Sequence, residues 1–342
     1  MSQFISESSA DTISAAAANL RAGNLVAFPT ETVYGLGADA CNAVAVARIY
    51  SVKGRPVDHP LIVHVASVDA LSVWAKDVPE YAFKLAHDFW PGPMTLVLRR
   101  SKLAGDFITG GQDTVGVRVP EHPVAHALLD AFENLGGKGV AAPSANHFGH
   151  VSPTTAQAVR DELSGHLHAA DQIIDGGPCA VGVESTIIDC TGDVPRILRP
   201  GAITVAMIEV STGQIVVKAS NIFADTQQGI ESTSASNLIS SASTEIRVSG
   251  SLENHYAPAA KVLLCEIPTL GQGFIAHANM QTPEGVIRLA SPQSDEEFAQ
   301  ILYSALREAD AQGLKEVVVM QPIGIGIAVA IRDRLARAAN GR

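Results

Sequence analysis

The chain has 342 residues, 46% of them hydrophobic, and its 24 Lys and Arg against 35 Asp and Glu give a net charge of −11. This length allows two domains, and the acidic balance argues against a protein that mainly coats nucleic acid, although a local basic cleft is compatible with it. No apolar run approaches the ~20 residues of a membrane helix, the start is too polar for a secretory signal, and the four cysteines form no C-x-x-C pair. We therefore expect a cytoplasmic protein without a disulfide framework or a zinc ribbon.

The first part of the chain alternates short β-type runs with helical patterns, and turns rich in Gly and Pro separate them. Such alternation is typical of an α/β fold, and we predict one domain over residues 1–211. Its predicted strands cover residues 24–28, 61–65, 94–99, 114–119, 139–142, 172–175 and 185–190, and its predicted helices cover residues 43–50, 122–135 and 153–163.

Composition changes after this domain. The stretch 219–255 is rich in Ser, Thr, Ala and Gln and has no sustained period, so we interpret residues 212–258 as a linker or lid segment. Residues 259–342 return to an α/β pattern and predict a small domain with a parallel sheet. Its predicted strands cover residues 261–267, 285–290 and 316–323, and its predicted helices cover residues 294–310 and the surroundings of Ile331 and Leu335.

The turn "KGRP" is the first candidate site, because it holds two cations on a stiffened loop. Gly54 lets a ligand approach the backbone, and Pro56 restricts the loop. The guanidinium of Arg55 binds phosphate as a fork and the ammonium of Lys53 binds it as a point charge. The pattern indicates a polyphosphate site, although a solvated basic turn has the same composition.

Two predicted strands carry polar groups on one face, because side chains alternate along a strand. In "TVGVRVP", Thr114, Gly116 and Arg118 lie opposite three valines, and the glycine between them indicates close approach by a ligand. Arg118 is therefore a candidate for holding a carboxylate, or alternatively an arginine on a wet sheet face. In "LIVHV", His64 is a candidate ligand group or an ordinary core histidine.

Further polar groups follow strands at loops, which commonly bind ligands. We interpret "FPTETVYGLGADA" (28–40) as a strand-to-helix loop that presents Thr30; no P-loop and no G-x-S-x-G motif occurs. "APSANHFGHVSPT" (142–154) offers Ser144 and Asn146, while Ser152 before Pro153 is also a good helix N-cap. "VGVESTIID" and "LRPGAI" add Glu184, Ser185, Thr186 and Arg199. The late "IGIG" lacks the third glycine of a dinucleotide loop, so we interpret it as a strand-to-helix turn.

Seven motifs in their order and spacing resemble the threonylcarbamoyl-AMP synthases, the long form of the YrdC-like family. They are "FPTETVYGLG", "KGRPVDHPLIVH", "GVRVP", "APSAN", "VESTIID", "LRPG" and "HYAP". The resemblance is strong over about residues 15–205, and the last part of the chain resembles the additional domain of the long form. It implies an N-terminal YrdC-like twisted α/β domain with a central, positively charged cavity, plus a small C-terminal Rossmann-like α/β domain.

The resemblance also implies a nucleotidyltransferase reaction. L-Threonine, bicarbonate or CO₂, and ATP with Mg²⁺ would give threonylcarbamoyl-AMP and pyrophosphate for the threonylcarbamoyladenosine modification of tRNA. The implied partners are downstream tRNA threonylcarbamoyl-transfer proteins and a weak contact with tRNA, without a membrane. No protein ligand to the metal is assigned.

The resemblance assigns roles residue by residue. Lys53 and Arg55 would neutralise developing charge in catalysis, and Tyr256 would close over the nucleotide as part of a lid. L-Threonine would contact Thr30, His64, Arg118 and Ser185. ATP would contact Lys53, Thr114, Ser144, Asn146, Ser152, Arg199 and Tyr256.

The chain departs from the family pattern at two places near the expected nucleotide contacts. Phe148 and His150–Val151 stand where Ser and Arg–Pro are expected, and His59 stands where Asn is common. Three other functions are weighed: a non-catalytic binder of double-stranded RNA or tRNA that uses the same basic cavity, a regulatory protein, and a carbamoyl-transfer maturation enzyme. The last would be expected to carry cysteine-pair zinc modules, which this sequence lacks.

Overall fold

The structure is a computed structural model that describes residues 4–5, 9–218, 246–250 and 255–341. Much of the predicted linker falls on residues 219–245 and 251–254, which lie outside the described residues. The strands of the first part are β1 (Phe4–Ile5), β2 (Val26–Phe28), β3 (Gly35–Asp39), β4 (Ile62–His64), β5 (Met94–Arg99), β6 (Thr114–Arg118), β7 (Val140–Ala141), β8 (Gln172–Ile174), β9 (Thr186–Asp189), β10 (Arg196–Arg199) and β11 (Val217–Lys218). Its helices are α1 (Ala10–Arg21), α2 (Ala43–Lys53), α3 (Leu71–Trp74), α4 (Glu80–Phe89), α5 (Asp106–Thr109), α6 (Pro123–Asn134), α7 (Ala156–Leu163) and α8 (Val205–Thr212).

The first eleven strands form one mixed sheet in the order β1-β8-β2-β3-β7-β4-β6-β5-β9-β10-β11. Strands β4 and β6 pair in parallel near its centre, with His64 opposite Arg118. Two residues separated by 54 positions in sequence are thus direct cross-strand neighbours. The valines of β6 are buried as the alternation predicts, and Arg118 lies on the other face.

The second part of the described chain forms its own sheet. It contains β12 (Lys261–Leu264), β13 (Gly273–Ile275), β14 (Ile287–Ala290), β15 (Glu316–Val319), α9 (Asp295–Ala311) and α10 (Ile327–Ala339). The strands are parallel in the order β12-β15-β13-β14, which confirms the predicted parallel sheet; the Rossmann-like description stays a prediction. The sequence pattern does not predict strand β13, because its three residues, "GFI", are too few to show an alternation.

Local sequence explains why the "KGRP" turn lies where it does. Asn42 caps α2 by accepting hydrogen bonds from the N–H groups of Val44 and Ala45, both at 3.1 Å. Gly54 ends the helix with a φ of 62°, which glycine adopts without steric penalty. Lys53 is therefore the last helical residue, and it is buried.

The interpretation of residues 28–40 as a strand-to-helix loop is wrong, because β2 is followed by another strand. Strands β2 and β3 pair antiparallel, with Phe28 opposite Gly35. The small residues of β3 allow tight packing: a Cβ on Gly37 would lie 2.7 Å from Val140 and 2.8 Å from Phe28. These glycines mark close approach within the sheet, and the short segment between the strands carries Thr30 across one end.

Two further expectations change with the observed boundaries. The predicted domain boundary at residue 211 falls inside α8, and β11 still pairs with β10. Ser152 is no N-cap, because α7 begins at Ala156 and Thr155 caps it by accepting a hydrogen bond from the N–H of Ala158. Among the described residues, no helix is both long and apolar enough to cross a lipid bilayer.

Gly182 lies where the two domains meet, and we expect its replacement to test that contact. A Cβ at Gly182 would lie 2.4 Å from the carbonyl oxygen of Ala299 and from the Cα of Gln300 on α9. Gly177 has nearly the same φ (+83° against +80°) with nothing within 4 Å of its Cβ. Gly182→Ala should therefore lower the free energy of unfolding by about 2 kcal/mol more than Gly177→Ala, measured by urea titration; equal losses would contradict the tight interdomain contact.

Candidate active site

A small cavity of about 40 Å³ lies at the centre of the large sheet. Its walls come from seven separate segments of the chain, including one that leads into the C-terminal domain. Seven of the predicted site residues line it: Thr30, His64, Arg118, Ser144, Ser185, Arg199 and Tyr256. Thr114 lines a neighbouring hollow instead, on the other side of Ile62 and Ser249, which border both spaces.

Arg118 is held rigidly at the cavity wall. Its Nη2 donates to Glu31 Oε1 at 2.5 Å, its Nη1 to Thr32 Oγ1 at 3.0 Å and its Nε to the carbonyl oxygen of Gly92 at 3.3 Å. The hydroxyls of Thr30 and Thr32 are 2.9 Å apart. The wet sheet face considered for Arg118 is excluded, since only 4% of it is exposed.

His64 lies beside Arg118 in a neutral form. Burial, reinforced by the Arg118 charge, lowers the pKa of His64 to about 3. Its Nδ1 is buried and has no hydrogen-bond partner among the described residues. A neutral imidazole at this place does not repel an ammonium group and offers a free hydrogen-bonding nitrogen to a ligand.

The two cations of "KGRP" are buried, so the solvated basic turn is excluded. Lys53 Nζ donates to the carbonyl oxygens of Ser144, at 2.6 Å, and of Asn146. Burial, and secondly the Arg55 charge, hold the pKa of Lys53 well below its ordinary value. Arg55 donates to the carbonyl oxygen of Pro60 at 3.0 Å, and burial lowers its pKa to about 10. Lys53 thereby braces the segment that presents Ser144 to the cavity.

Arg199 connects the predicted threonine and nucleotide residues. It donates to the Ser185 carbonyl oxygen from Nε and Nη2 at 3.1 and 2.9 Å, to Ser185 Oγ at 3.1 Å and to the Ser249 carbonyl oxygen at 2.9 Å. Ser185 Oγ also lies 2.8 Å from Thr95 Oγ1. Position 250, beside Ser249, requires glycine, because its φ is +78° and a Cβ there would lie 2.2 Å from the Tyr256 hydroxyl.

Sequence reasoning named Glu184 but gave it no role, and the structure shows it at the cavity wall as an acceptor for three side chains. Ser152 Oγ donates to its Oε1 at 2.6 Å, and Tyr303 and Arg334 of the C-terminal domain donate to its Oε2 at 2.9 and 2.8 Å. Burial alone would raise the pKa of Glu184, but Arg334 and Arg199 lower it to about 2. The available signal was that this glutamate directly precedes Ser185 and the strand predicted over residues 185–190.

The Glu184 interactions predict acid sensitivity. A carboxylate whose pKa is lower in the folded than in the unfolded protein stabilises the fold above its ordinary pKa of 4.5 and loses this contribution as pH falls toward 2. The free energy of unfolding should fall by on the order of 3 kcal/mol across this window from Glu184 alone. Urea titrations at several pH values should show a shallower fall for Glu184→Gln; identical pH dependence in both proteins would contradict the assignment.

Two of the departures from the family pattern, Phe148 and His59, contact each other. The rings of Phe148 and His59 lie 5.2 Å apart, and Phe148 also contacts Arg55 and His255 at 5.6 and 6.0 Å. His150 Nδ1 lies 3.0 Å from Glu162. The aromatic pair of Phe148 and His59 therefore stands beside the "KGRP" turn, where the family pattern has the polar residues Ser and Asn.

Tyr256 is fully buried at the cavity, with 1% exposure. Its ring stacks on Tyr303 at 5.8 Å and lies 5.4 Å from the Arg334 guanidinium. The neighbouring Ala257 N–H donates to the Gly149 carbonyl oxygen at 3.0 Å. The "HYAP" motif thus bridges the segment of residues 142–154 and the C-terminal domain.

Family models and known proteins match the whole arrangement. The Sua5–YciO–YrdC model, described as "Telomere recombination", matches residues 18–201, and the model "Threonylcarbamoyl-AMP synthase, C-terminal domain" matches residues 203–340. The threonylcarbamoyl-AMP synthase of Pyrococcus abyssi is 39% identical over 96% of this chain and 94% of that relative, and that of Bacillus subtilis is 38% identical over 96% and 93%. A crystal structure of P. abyssi Sua5 complexed with L-threonine superposes with a TM-score of 0.83 at 36% identity, covering 97% of this chain and 95% of that one.

The mixed α/β sheet with its central cavity, carried together with a second domain, defines an enzyme of the nucleotidyltransferase type with a YrdC-like fold. The chain belongs to the threonylcarbamoyl-AMP synthase family, in the form that carries the additional C-terminal domain. The resemblance seen in the seven motifs and the predicted α/β fold class are confirmed.

Proposed function

We propose that this protein makes threonylcarbamoyl-AMP and pyrophosphate from L-threonine, bicarbonate or CO₂, and ATP, for the threonylcarbamoyladenosine modification of tRNA. Downstream proteins that transfer the threonylcarbamoyl group would consume the product, and any contact with tRNA itself would be weak. Family membership supports the type of enzyme, and the site supports the substrates.

One observation carries the proposal: three buried cations lie in or near the cavity wall without a close carboxylate partner among the described residues. Arg199 lines the cavity, and the charges of Lys53 and Arg55 act on His255 in the same wall. Lys53, Arg55 and Arg199 are 2%, 6% and 3% exposed, and none forms an ion pair within the described part of the chain. A buried charge without a counter-ion is unfavourable by several kcal/mol. A polyphosphate that binds beside these residues supplies the missing negative charge and removes this free-energy cost. An ATP site needs such buried positive charge.

The part of the cavity wall around Arg118 and His64 suits an amino acid. The Arg118 guanidinium has N–H donors beyond those that its protein partners accept, and it can grip a carboxylate. Neutral His64 and the hydroxyls of Thr30 and Ser185 would meet the amine and the hydroxyl of threonine. The threonine complex of the P. abyssi relative supports this choice of substrate.

The proposed chemistry needs positioning and not a side-chain nucleophile. The neutral threonine amine attacks CO₂ and releases a proton to solvent, or attacks bicarbonate with loss of water, and either route gives a carbamate. A carbamate oxygen then attacks the α-phosphorus of ATP, and pyrophosphate leaves. Lys53, Arg55 and Arg199 would hold the phosphates and neutralise the charge that develops on the leaving group. Arg118 would keep the amino acid in line with the phosphorus.

Mg²⁺ is proposed as part of the ATP substrate. The described residues contain no cluster of His, Cys, Asp and Glu able to hold a metal ion. Glu184, the carboxylate at the cavity wall, is already engaged by Arg334 and two hydroxyls. These described residues therefore do not form a metal-binding site by themselves. This agrees with the usual behaviour of Mg²⁺, which binds through phosphates and water with few protein ligands.

Tyr256 is proposed to act in a lid. A volume of about 40 Å³ accepts water but not a nucleotide, so the wall formed by Ser249, His255 and Tyr256 would move away for ATP to enter. Its return would shield the carbamate, which hydrolyses in water. The Tyr256 hydroxyl is buried without a partner in the described residues and would gain one from the bound nucleotide.

The test is threonine-dependent release of pyrophosphate from ATP, measured with and without bicarbonate. We expect release only when both L-threonine and a source of CO₂ are present, with threonylcarbamoyl-AMP identified by mass spectrometry. Salt-dependent RNA binding without any pyrophosphate release would refute the proposal in favour of an RNA-binding protein.

A further inference from the structure

The C-terminal domain contributes to the walls of the active site through its hydrophobic core. Three valines of the first domain, Val33, Val151 and Val183, pack into the cluster built by Phe298 and Leu302 of α9. Each valine belongs to a different predicted site segment, beside Thr30, Ser152 and Glu184 respectively. Three separate segments of the first domain therefore pack against the hydrophobic core of the C-terminal domain. The distances between these segments thus depend on the position of that domain.

A buried ionic contact reinforces this packing. The Arg334 guanidinium on α10 is completely buried; it donates to Glu184 Oε2 at 2.8 Å and to the carbonyl oxygen of Pro200 at 2.9 Å, next to Arg199. The same guanidinium lies 5.4 Å from the Tyr256 ring. One side chain of the C-terminal domain thus contacts three elements of the site.

A second arginine fixes the segment of residues 142–154. Arg307 on α9 donates to the carbonyl oxygen of Val151 and to Glu162 Oε2, the latter at 2.6 Å. Glu162 in turn accepts from the His147 N–H at 2.8 Å. Tyr303, one turn before Arg307, donates to Glu184 at 2.9 Å. The polar edge of α9 and α10 is thus directed at residues that hold Ser152 and its neighbours.

Stability alone gives no reason for a buried arginine at this place. Replacing a buried ion pair by apolar groups of similar volume is often neutral or stabilising. Arg334 stands between Ile331 and Leu335 on the apolar face of α10, where a leucine or methionine would suit the core. Its Nε instead orients the Glu184 carboxylate, and Glu184 orients the Ser152 hydroxyl at 2.6 Å.

We infer that the C-terminal domain is an integral part of the ATP site and that Arg334 is the positioning residue that aligns Glu184, Ser152 and the Arg199–Pro200 turn for the nucleotide. Arg334 does not touch the substrates; it acts through these groups. Arg118 and His64, on the threonine side of the cavity, have no contact with Arg334 among the described residues, and Ser185 is linked to Arg334 only indirectly, through Glu184 and Arg199. The inference rests on the proposed function, because it concerns how ATP is held.

The experiment compares Arg334→Met with Arg332→Met in the full chain. Arg332 lies on the same helix but donates to the carbonyl oxygens of Pro322 and Gly324, away from the cavity. We expect Arg334→Met to raise the KM for ATP at least about tenfold and the KM for threonine less than about twofold, while Arg332→Met changes neither. A loss of folded protein lowers kcat and leaves both KM values unchanged, so an unchanged KM for ATP overturns the inference.

Tyr303→Phe keeps the test valid where Arg334→Met does not fold, since it removes one donor to Glu184 and preserves the packing. We expect a rise of about threefold or more in the KM for ATP, again without an equal rise for threonine; equal rises overturn the inference. Calorimetric titration with a non-hydrolysable ATP analogue separates the two proposals. If the wild type binds the analogue but releases no pyrophosphate, the proposed function fails, and weaker binding by Arg334→Met still supports the inference.

Discussion

Replacing Arg118 by alanine is expected to raise the KM for L-threonine about 100-fold while changing the KM for ATP less than about threefold. Two charged hydrogen bonds to a carboxylate contribute roughly 1.5–3 kcal/mol each, and about 2.7 kcal/mol corresponds to a factor of 100. Arg118 lies opposite His64 in the sheet, and the buried cations proposed for the phosphates are supplied by other segments. Pyrophosphate release at varied threonine and at varied ATP measures the two constants.

The stability of the variant needs its own control, because Arg118 pairs with Glu31 at 2.5 Å and both are buried. Removing one member of a buried pair destabilises by roughly 3–5 kcal/mol. The double variant Arg118→Met with Glu31→Gln removes both charges and should recover much of this loss, yet the KM for threonine should stay high. If the KM for both substrates rises equally, or if the double variant restores threonine use, Arg118 has a structural role only.

The sequence predicted the polar face of β6 and the position of the "KGRP" turn, because both depend on local rules. Alternation along a strand put Arg118 opposite the valines. The turn chemistry of Gly54 and Pro56 ended the helix predicted over residues 43–50, whose observed end is Lys53. The boundaries of these elements agree with the structure to within a few residues.

Long-range pairing could not be predicted in the same way. The carboxylate that holds Arg118 comes from the β2–β3 connection, and the arginine that holds Glu184 comes from the last helix, 150 residues further on. Only tertiary packing creates these ion pairs. A weak signal for Arg334 did exist, since a charged residue between Ile331 and Leu335 interrupts an apolar helix face. The glycines of β3 led to the wrong prediction of a strand-to-helix loop over residues 28–40, because small residues suit a loop and a tightly packed strand equally.

The second large effect is expected at Lys53, where Lys53→Met should raise the KM for ATP roughly 10- to 100-fold and affect threonine much less. Methionine keeps an unbranched stem of similar length and removes the ammonium group. Lys84→Met is the matched control, because Lys84 pairs with Asp88 at 2.8 Å on the surface, where such pairs contribute little. Equal effects of the two substitutions on ATP use would contradict a phosphate contact for Lys53.

Proton uptake gives an independent test of the same contact. Burial and the Arg55 charge hold the pKa of Lys53 below its ordinary value of 10.5, and a bound polyphosphate would raise it again. Between the lowered pKa and 10.5, nucleotide binding should therefore take up a proton. Calorimetric titration with a non-hydrolysable ATP analogue in two buffers of different ionisation enthalpy measures this uptake. Uptake that persists in Lys53→Met would assign the proton to another group, whereas its loss would tie the buried ammonium directly to the phosphates.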